Sequence, residues 1–316
     1  MPDDGLILAG ARAKIYVEAL TTQIEQLYRS RQRSLVTRLA KIDLTAFERY
    51  RTEEILKQIN AELAFLDRGA RDWAKTAGLE SYRRGVSLAE KRLRALDVTD
   101  VVDFGASIHT SAVDILIDDM TIDLLNANQS MRRVFRNFIR RTQQTLLEER
   151  EISKMIAAGV IEGATRKQTS DVILAALRKR MAGEQFILIN GRHYRPDHYA
   201  ALVARTRTRE AATLGTINTC LQYGNDLVQV SAHAHVNRPG DVCPEYAGRV
   251  FSISGANPDF PHLSARPPFH PHCCHVLTPI TAQALKSRGM YDDVSKLSRN
   301  RTAEIDSLEA YQEAIA

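Results

Sequence analysis

From about residue 6 to 182, aliphatic side chains recur among charged ones at helical spacing, and glycine and proline are thinly spread. Leu20, Ile24, Leu27 and Tyr28 fall on one helical face. Ile55, Ile59, Leu63 and Leu66 repeat the pattern at spacings of four, four and three, with Thr45 and Glu48 as a capping box ahead of them. Trp73, Tyr82, Val86 and Leu93 continue it more loosely, so at least three helices are predicted before residue 96. Asp97 to Gly105 reads as a connection. Two further helices, Ile108 to Leu125 and Met131 to Arg150, are predicted on either side of the polar run Asn126-Ala127-Asn128-Gln129-Ser130. A shorter pair, Ile152 to Ile161 and Val172 to Met181, is closed by Gly163 and Gly183.

After residue 183 the pattern changes. Phe186 to Ile189 is a short apolar run entering an Asn190-Gly191 turn, the signature of a tight hairpin. Pro196 stands where a helix can begin, and Tyr199 to Tyr223 reads as helix up to Gly224. Leu227 to Ser231 and Arg249 to Ile253 are predicted strands, separated by a turn at Pro239-Gly240. Gly255 to His272 carries Pro258, Pro261, Pro267, Pro268 and Pro271 with no regular pattern, and Ser295 to Ala314 is again helical. The fold class is therefore a mainly α N-terminal region with a small α+β C-terminal module. The expected organisation is 1–183 helical, 184–283 α+β, and 284–316 a helical tail.

The 316 residues carry 44% apolar and 26% charged side chains, an ordinary globular composition that excludes wholesale disorder and a collagen-like chain. A formal charge of +5 is a mild excess, compatible with a polyanionic neighbour but not diagnostic of one. The start Met-Pro-Asp-Asp lacks the positive charge of a signal peptide. No stretch approaches the roughly 18 uninterrupted apolar residues of a membrane span, so no membrane partner and a reducing cytosol are expected.

The candidate chemistry is concentrated late in the chain. Of nine histidines all but His109 lie between His193 and His275, and all four cysteines lie between Cys220 and Cys274. The densest stretch is His270-Pro271-His272-Cys273-Cys274-His275, with Cys243 and His233-Ala234-His235 upstream. A zinc-type ion takes four soft or borderline ligands, commonly as close pairs brought together by a loop. Residues two apart in an extended segment point the same way, which pairs Cys273 with His275 and turns Cys274 to the other side as a buried small hydrophobe. The predicted structural zinc site is His233, Cys243, Cys273 and His275, with His270 the main substitute and His235 a weaker one. Its expected role is to order the proline-rich loop, whose apolar residues are too few to order it alone.

A resemblance runs through the same region. Val230-Ser231-Ala232-His233, Arg238-Pro239, Cys243-Pro244-Glu245-Tyr246 through Gly255, and Pro268-Phe269-His270-Pro271-His272-Cys273-Cys274-His275 resemble, in order, the C-terminal part of tailed-phage minor capsid proteins, the group related to Mu-type head morphogenesis proteins. Gly191, Tyr199 and Arg205-Thr206 fit the lead-in, so the resemblance spans roughly 185–280. Three positions depart from the family pattern. His272 stands for an asparagine, Cys274 for an arginine, and Tyr246 for a second upstream cysteine, which makes His233 the ligand the resemblance implies. It also implies a virion protein near the portal vertex, assembled in the host cytoplasm, with a portal protein or the major capsid protein as partner and the helical part as docking element.

Two basic groups bear on partners. Arg133, Arg136 and Arg140 share one helical face within an acid-free stretch that also holds Arg132 and Arg141. That face is either solvated and paired with neighbouring acids, or a contact for packaged DNA or an acidic portal surface. Phe135, Phe138 and Ile139 give the same helix an apolar side. Arg205, Arg207 and Arg209 suit either an anion site or salt-bridge buttressing of the C-terminal module.

Zinc-enzyme signatures are missing: His233-Ala234-His235 lacks the glutamate of a deaminase, and there is no His-Glu-x-x-His. Nor is there a phosphate loop or nucleophile elbow. The expectation is a structural head protein with no turnover and no small-molecule substrate; a metal-dependent nuclease or other hydrolase carried by a phage particle is the alternative.

Overall fold

The computed structural model describes residues 4–40, 49–98, 106–148, 187–232 and 242–300. The order is α1 (Asp4–Ala40), α2 (Arg49–Ala95), α3 (Ser107–Glu148), β1 (Ile187–Ile189), β2 (Arg192–Tyr194), α4 (Pro196–Gln222), β3 (Leu227–Val230), α5 (Cys243–Tyr246), β4 (Val250–Ser252), β5 (Leu277–Pro279), α6 (Ala282–Ser287) and α7 (Tyr291–Arg299). The chain is mostly helical with a small sheet region towards its C-terminus. It divides into two compact units, one of residues 1–21, 74–120 and 202–316, the other of residues 22–73 and 121–201.

Two predicted helix breaks do not occur. The expected second and third helices are one, α2, because Ala70, Ala74 and Ala77 carry the buried stripe from Leu66 past Trp73 towards Tyr82 with side chains too small to register as an apolar repeat. The polar run 126–130 is likewise helical within α3. Asn128 is fully buried and donates to the Asp67 carboxylate at 2.8 Å, Arg132 joins the same carboxylate, and the Ser130 hydroxyl donates to the Leu188 carbonyl at 3.5 Å. Tertiary partners thus satisfy side chains that would otherwise favour a turn. The predicted helices within 152–181, the Thr45/Glu48 cap and the Pro239-Gly240 turn lie outside the described residues.

In the unit of residues 22–73 and 121–201, the buried Tyr28 hydroxyl donates to the Leu124 carbonyl at 3.1 Å, and burial pushes its phenol pKa up. The predicted hairpin forms with the register Ile187↔Tyr194 and Ile189↔Arg192. Asn190 and Gly191 both have positive φ, 48° and 74°, as a two-residue hairpin turn requires.

In the other unit α2 and α4 meet through glycine. A Cβ on Gly85 would sit 1.9 Å from the Ala212 carbonyl oxygen, and one on Gly215 would sit 2.3 Å from that of Tyr82. Tyr82, Val86, Val113, Leu116 and Ala211 pack around this crossing. A directed hydrogen-bond chain lies beside it: Asn218 donates to the Tyr82 hydroxyl (2.7 Å), which pairs with His109 Nδ1 (2.8 Å), while His109 Nε2 pairs with the Gln222 side-chain oxygen (2.9 Å). The histidine outside the C-terminal cluster is therefore a buried structural one. Helix α4 ends as predicted, with Gly224 at φ 68° and the Asn225 amide donating to the Cys220 carbonyl at 2.8 Å.

The sheet has the order β4-β3-β5, antiparallel throughout. β3 and β4 answer to predicted strands; β5 does not, being three residues long and ended by Pro279. Alternation along the strands sends Val228, Val230, Phe251 and Leu277 to one face, with Ile217, Cys220 and Leu263. Leu227 and Val250 go to the other, with Phe260, Ile280, Leu285 and Val294. This corrects the expectation of an interior too poor to order the proline-rich loop. Phe260 and Leu263 are buried anchors within that loop, and the Asp226 carboxylate accepts from the Ser254 amide (2.8 Å) and the Ser252 hydroxyl (2.5 Å) at its start.

An exposed helical glycine gains about 1 kcal/mol in helix propensity on changing to alanine. Gly85→Ala is instead predicted to destabilise by on the order of 3 kcal/mol, because the new methyl meets a backbone carbonyl that no rotamer can move. Urea denaturation checks the sign: the midpoint should fall with little change in slope.

Candidate functional site

Cys243 opens the one-turn helix α5 and Cys273 closes the turn His270-Pro271-His272-Cys273, in which the Cys273 amide donates to the His270 carbonyl at 2.9 Å. Both thiols are buried, each residue 1% exposed, and their Sγ atoms are 4.0 Å apart. A nitrogen of the half-buried His270 completes a group in which all three ligand atoms lie within 4.8 Å of one another. All four cysteines are free.

Of the predicted ligands, the structure brings Cys243 and Cys273 together with the substitute, His270. His275 is buried on the same side as Cys273, as the alternation required, but it is not in the three-residue group. Its Nδ1 donates to the Ser231 carbonyl at 2.6 Å. His233 and His235 lie outside the described residues. Cys274 does turn away, but it is exposed rather than buried, because the chain here runs along the module's surface. Cys220 sits in the core beneath the sheet, where burial pushes its thiol up to about 12, so it stays protonated at neutral pH.

Tyr246 stands where the resemblance expects another cysteine. Its ring stacks between Phe251 and Phe269, centroids 5.2 and 4.6 Å away, and its hydroxyl pairs with Ser264 Oγ at 2.9 Å. Aromatic packing thus fastens α5 to the loop. Arg209 of α4 donates to the Cys273 carbonyl, and burial pulls its guanidinium pKa down while the neighbouring Cys273 and Cys274 oppose that. Sequence alone did not point to the role of Tyr246, and for Arg209 it offered buttressing of the module as one of two readings. The arginine group is a buttress: Arg205 pairs with Glu18 (3.3 Å), and Arg207 with Glu210 (2.8 Å) and Asp119 (3.5 Å).

On α3, Arg133 and Arg136 are exposed, Arg132 is engaged with Asp67, and Phe135 is buried. The side chains of Phe138, Ile139, Arg140 and Arg141 lie outside the described residues. In the same unit, Glu25, Asp197 and His198 gather within 4.8 Å, a group without a sequence signal. Asp197 is fully buried in the first turn of α4 and accepts from Arg29 Nε and Arg195 Nη2, both at 2.9 Å. Burial pushes this carboxyl up, but the two guanidinium groups and the His198 amide outweigh it and hold the group below the ordinary carboxylate range.

The described chain is mostly helical, its small sheet module carries the cysteine and histidine group, and no described helix is long and apolar enough to cross a membrane. The family described as phage minor capsid protein 2 matches residues 53–281, and the chain belongs to it. It is therefore a structural protein of the phage capsid and a component of the virion. No curated protein and no solved structure matches it.

Asp197→Asn is predicted to cost about 1–3 kcal/mol at neutral pH by removing two charge-assisted hydrogen bonds. Because the folded carboxyl titrates below its unfolded value, that contribution is whole above about pH 5 and is lost as pH falls below about 4. Denaturation of both proteins across this range should show a constant gap that closes in acid.

Proposed function

We infer that this protein is a minor component of the phage head that acts near the portal vertex, in procapsid assembly or head completion, with the portal protein or the major capsid protein as its partner. The observation that carries the reading is the single family match running from α2 to β5 and on to residue 281, across the helical region and the sheet module alike. A capsid-family relationship that spans both parts favours a role for the whole chain in the head, not a capsid fragment fused to an unrelated activity.

The basic face of α3 is the proposed contact. Arg133 and Arg136 are exposed one turn apart, beyond an apolar side anchored by Phe135. The shared chemistry of the partner is a dense array of negative charge, supplied by packaged DNA or by an acidic face of the portal ring.

Quantitative mass spectrometry of purified particles is predicted to find this chain at far fewer copies than the major capsid protein. The double variant Arg133→Glu/Arg136→Glu should fold normally by circular dichroism yet enter particles at least about tenfold less, a loss of about 1.4 kcal/mol or more in binding. Absence of the chain from particles, or metal-dependent nicking of plasmid DNA by the purified protein, would contradict the assignment.

A further inference from the structure

We propose that Cys243, Cys273 and His270 bind one zinc-type divalent ion as a structural centre, with His275 as a positioning residue outside the coordination shell. The assignment stands apart from the role at the portal: it concerns how the module is fastened, whatever the module docks to.

Geometry favours a shared ion over either alternative for two buried cysteines. Two sulfurs bound to one tetrahedral zinc at about 2.3 Å each are about 3.8 Å apart. The observed separation is 4.0 Å, and a disulfide would need about 2.05 Å. Simple apolar packing would account for two thiols in contact, but not for the His270 nitrogen within 4.8 Å of both. The ligands also arrive from separate places, Cys243 from α5 and the other two from the turn before β5, so an ion would cross-link segments that β4 and the proline-rich loop keep apart in sequence.

The neighbourhood holds those ligands in place. Arg209 grips the Cys273 carbonyl from α4, and the Tyr246 stack holds α5 against Phe269, the residue before His270. His275 Nδ1 binds the Ser231 carbonyl, while the Val276 amide donates to Ser231 Oγ and the Ser231 amide to the Val276 carbonyl, each at 3.0 Å. The end of β3 is thereby tied to the chain that follows Cys273.

Full-length protein loaded with zinc and desalted should retain about one ion per chain. Cys243→Ser and Cys273→Ser should abolish retention, and His270→Ala should weaken it at least about tenfold. Cys220→Ser, Cys274→Ser and His275→Asn, the last keeping a side-chain donor for Ser231, should retain the full ion. Because a serine variant can fail by not folding, cobalt-loaded wild type supplies a second measurement. Intense tetrahedral absorption with a thiolate charge-transfer band supports the site; a weak octahedral spectrum without that band overturns it. The ligand set is also overturned by zinc retained in His270→Ala but lost in His275→Asn, or by loss in Cys274→Ser.

Discussion

The close approach of α2 and α4 at Gly85 and Gly215 sets the position of much else in the unit they share. With no side chain at either point, the backbones come within reach of each other, and the Thr216 hydroxyl donates to the Gly85 carbonyl at 3.3 Å. This contact fixes both the rotation and the register of α4. One set of its side chains then meets α2 and α3 through Ala211 and Asn218, while Ile217 and Cys220, near its end, lie under the three-stranded sheet. Arg209, on the same helix, reaches the carbonyl of Cys273. The candidate centre is positioned by a helix whose own placement depends on two missing methyl groups.

The sheet module rests on more than one kind of fastening. Its two apolar faces are closed by α4 on one side and by α6 and α7 on the other, so burial drives its folding in the ordinary way. The proline-rich loop is tied at intervals by Phe260, Leu263 and Phe269, and by the hydrogen bonds of Asp226 and Ser252. An ion at Cys243, His270 and Cys273 would add a cross-link to a built module, a different task from replacing an absent core.

Legibility in the sequence followed the strength of the local signal. The hairpin at Asn190-Gly191 and the end of α4 at Gly224 were readable because positive φ leaves few residue choices. The alternation Cys273-in, Cys274-out, His275-in was readable because a two-residue period is geometric. The continuity of α2 and α3 was not, since alanine at 70, 74 and 77 and asparagine at 128 acquire their helical partners only from the tertiary structure. That His270 and not His275 groups with Cys243 and Cys273 also lay beyond sequence, for it depends on how the turn His270-Pro271-His272-Cys273 folds back. Family membership was legible from the order of short motifs in the last third, and the match proved to extend back to residue 53.

X-ray absorption at the zinc edge of the purified full-length protein tests the central claim, that scattered thiols and imidazoles converge on one ion. The account predicts a first shell of two sulfurs at about 2.3 Å with imidazole nitrogen at about 2.0–2.1 Å. A shell of oxygens alone, or protein that carries no zinc after exposure to it, would contradict the account.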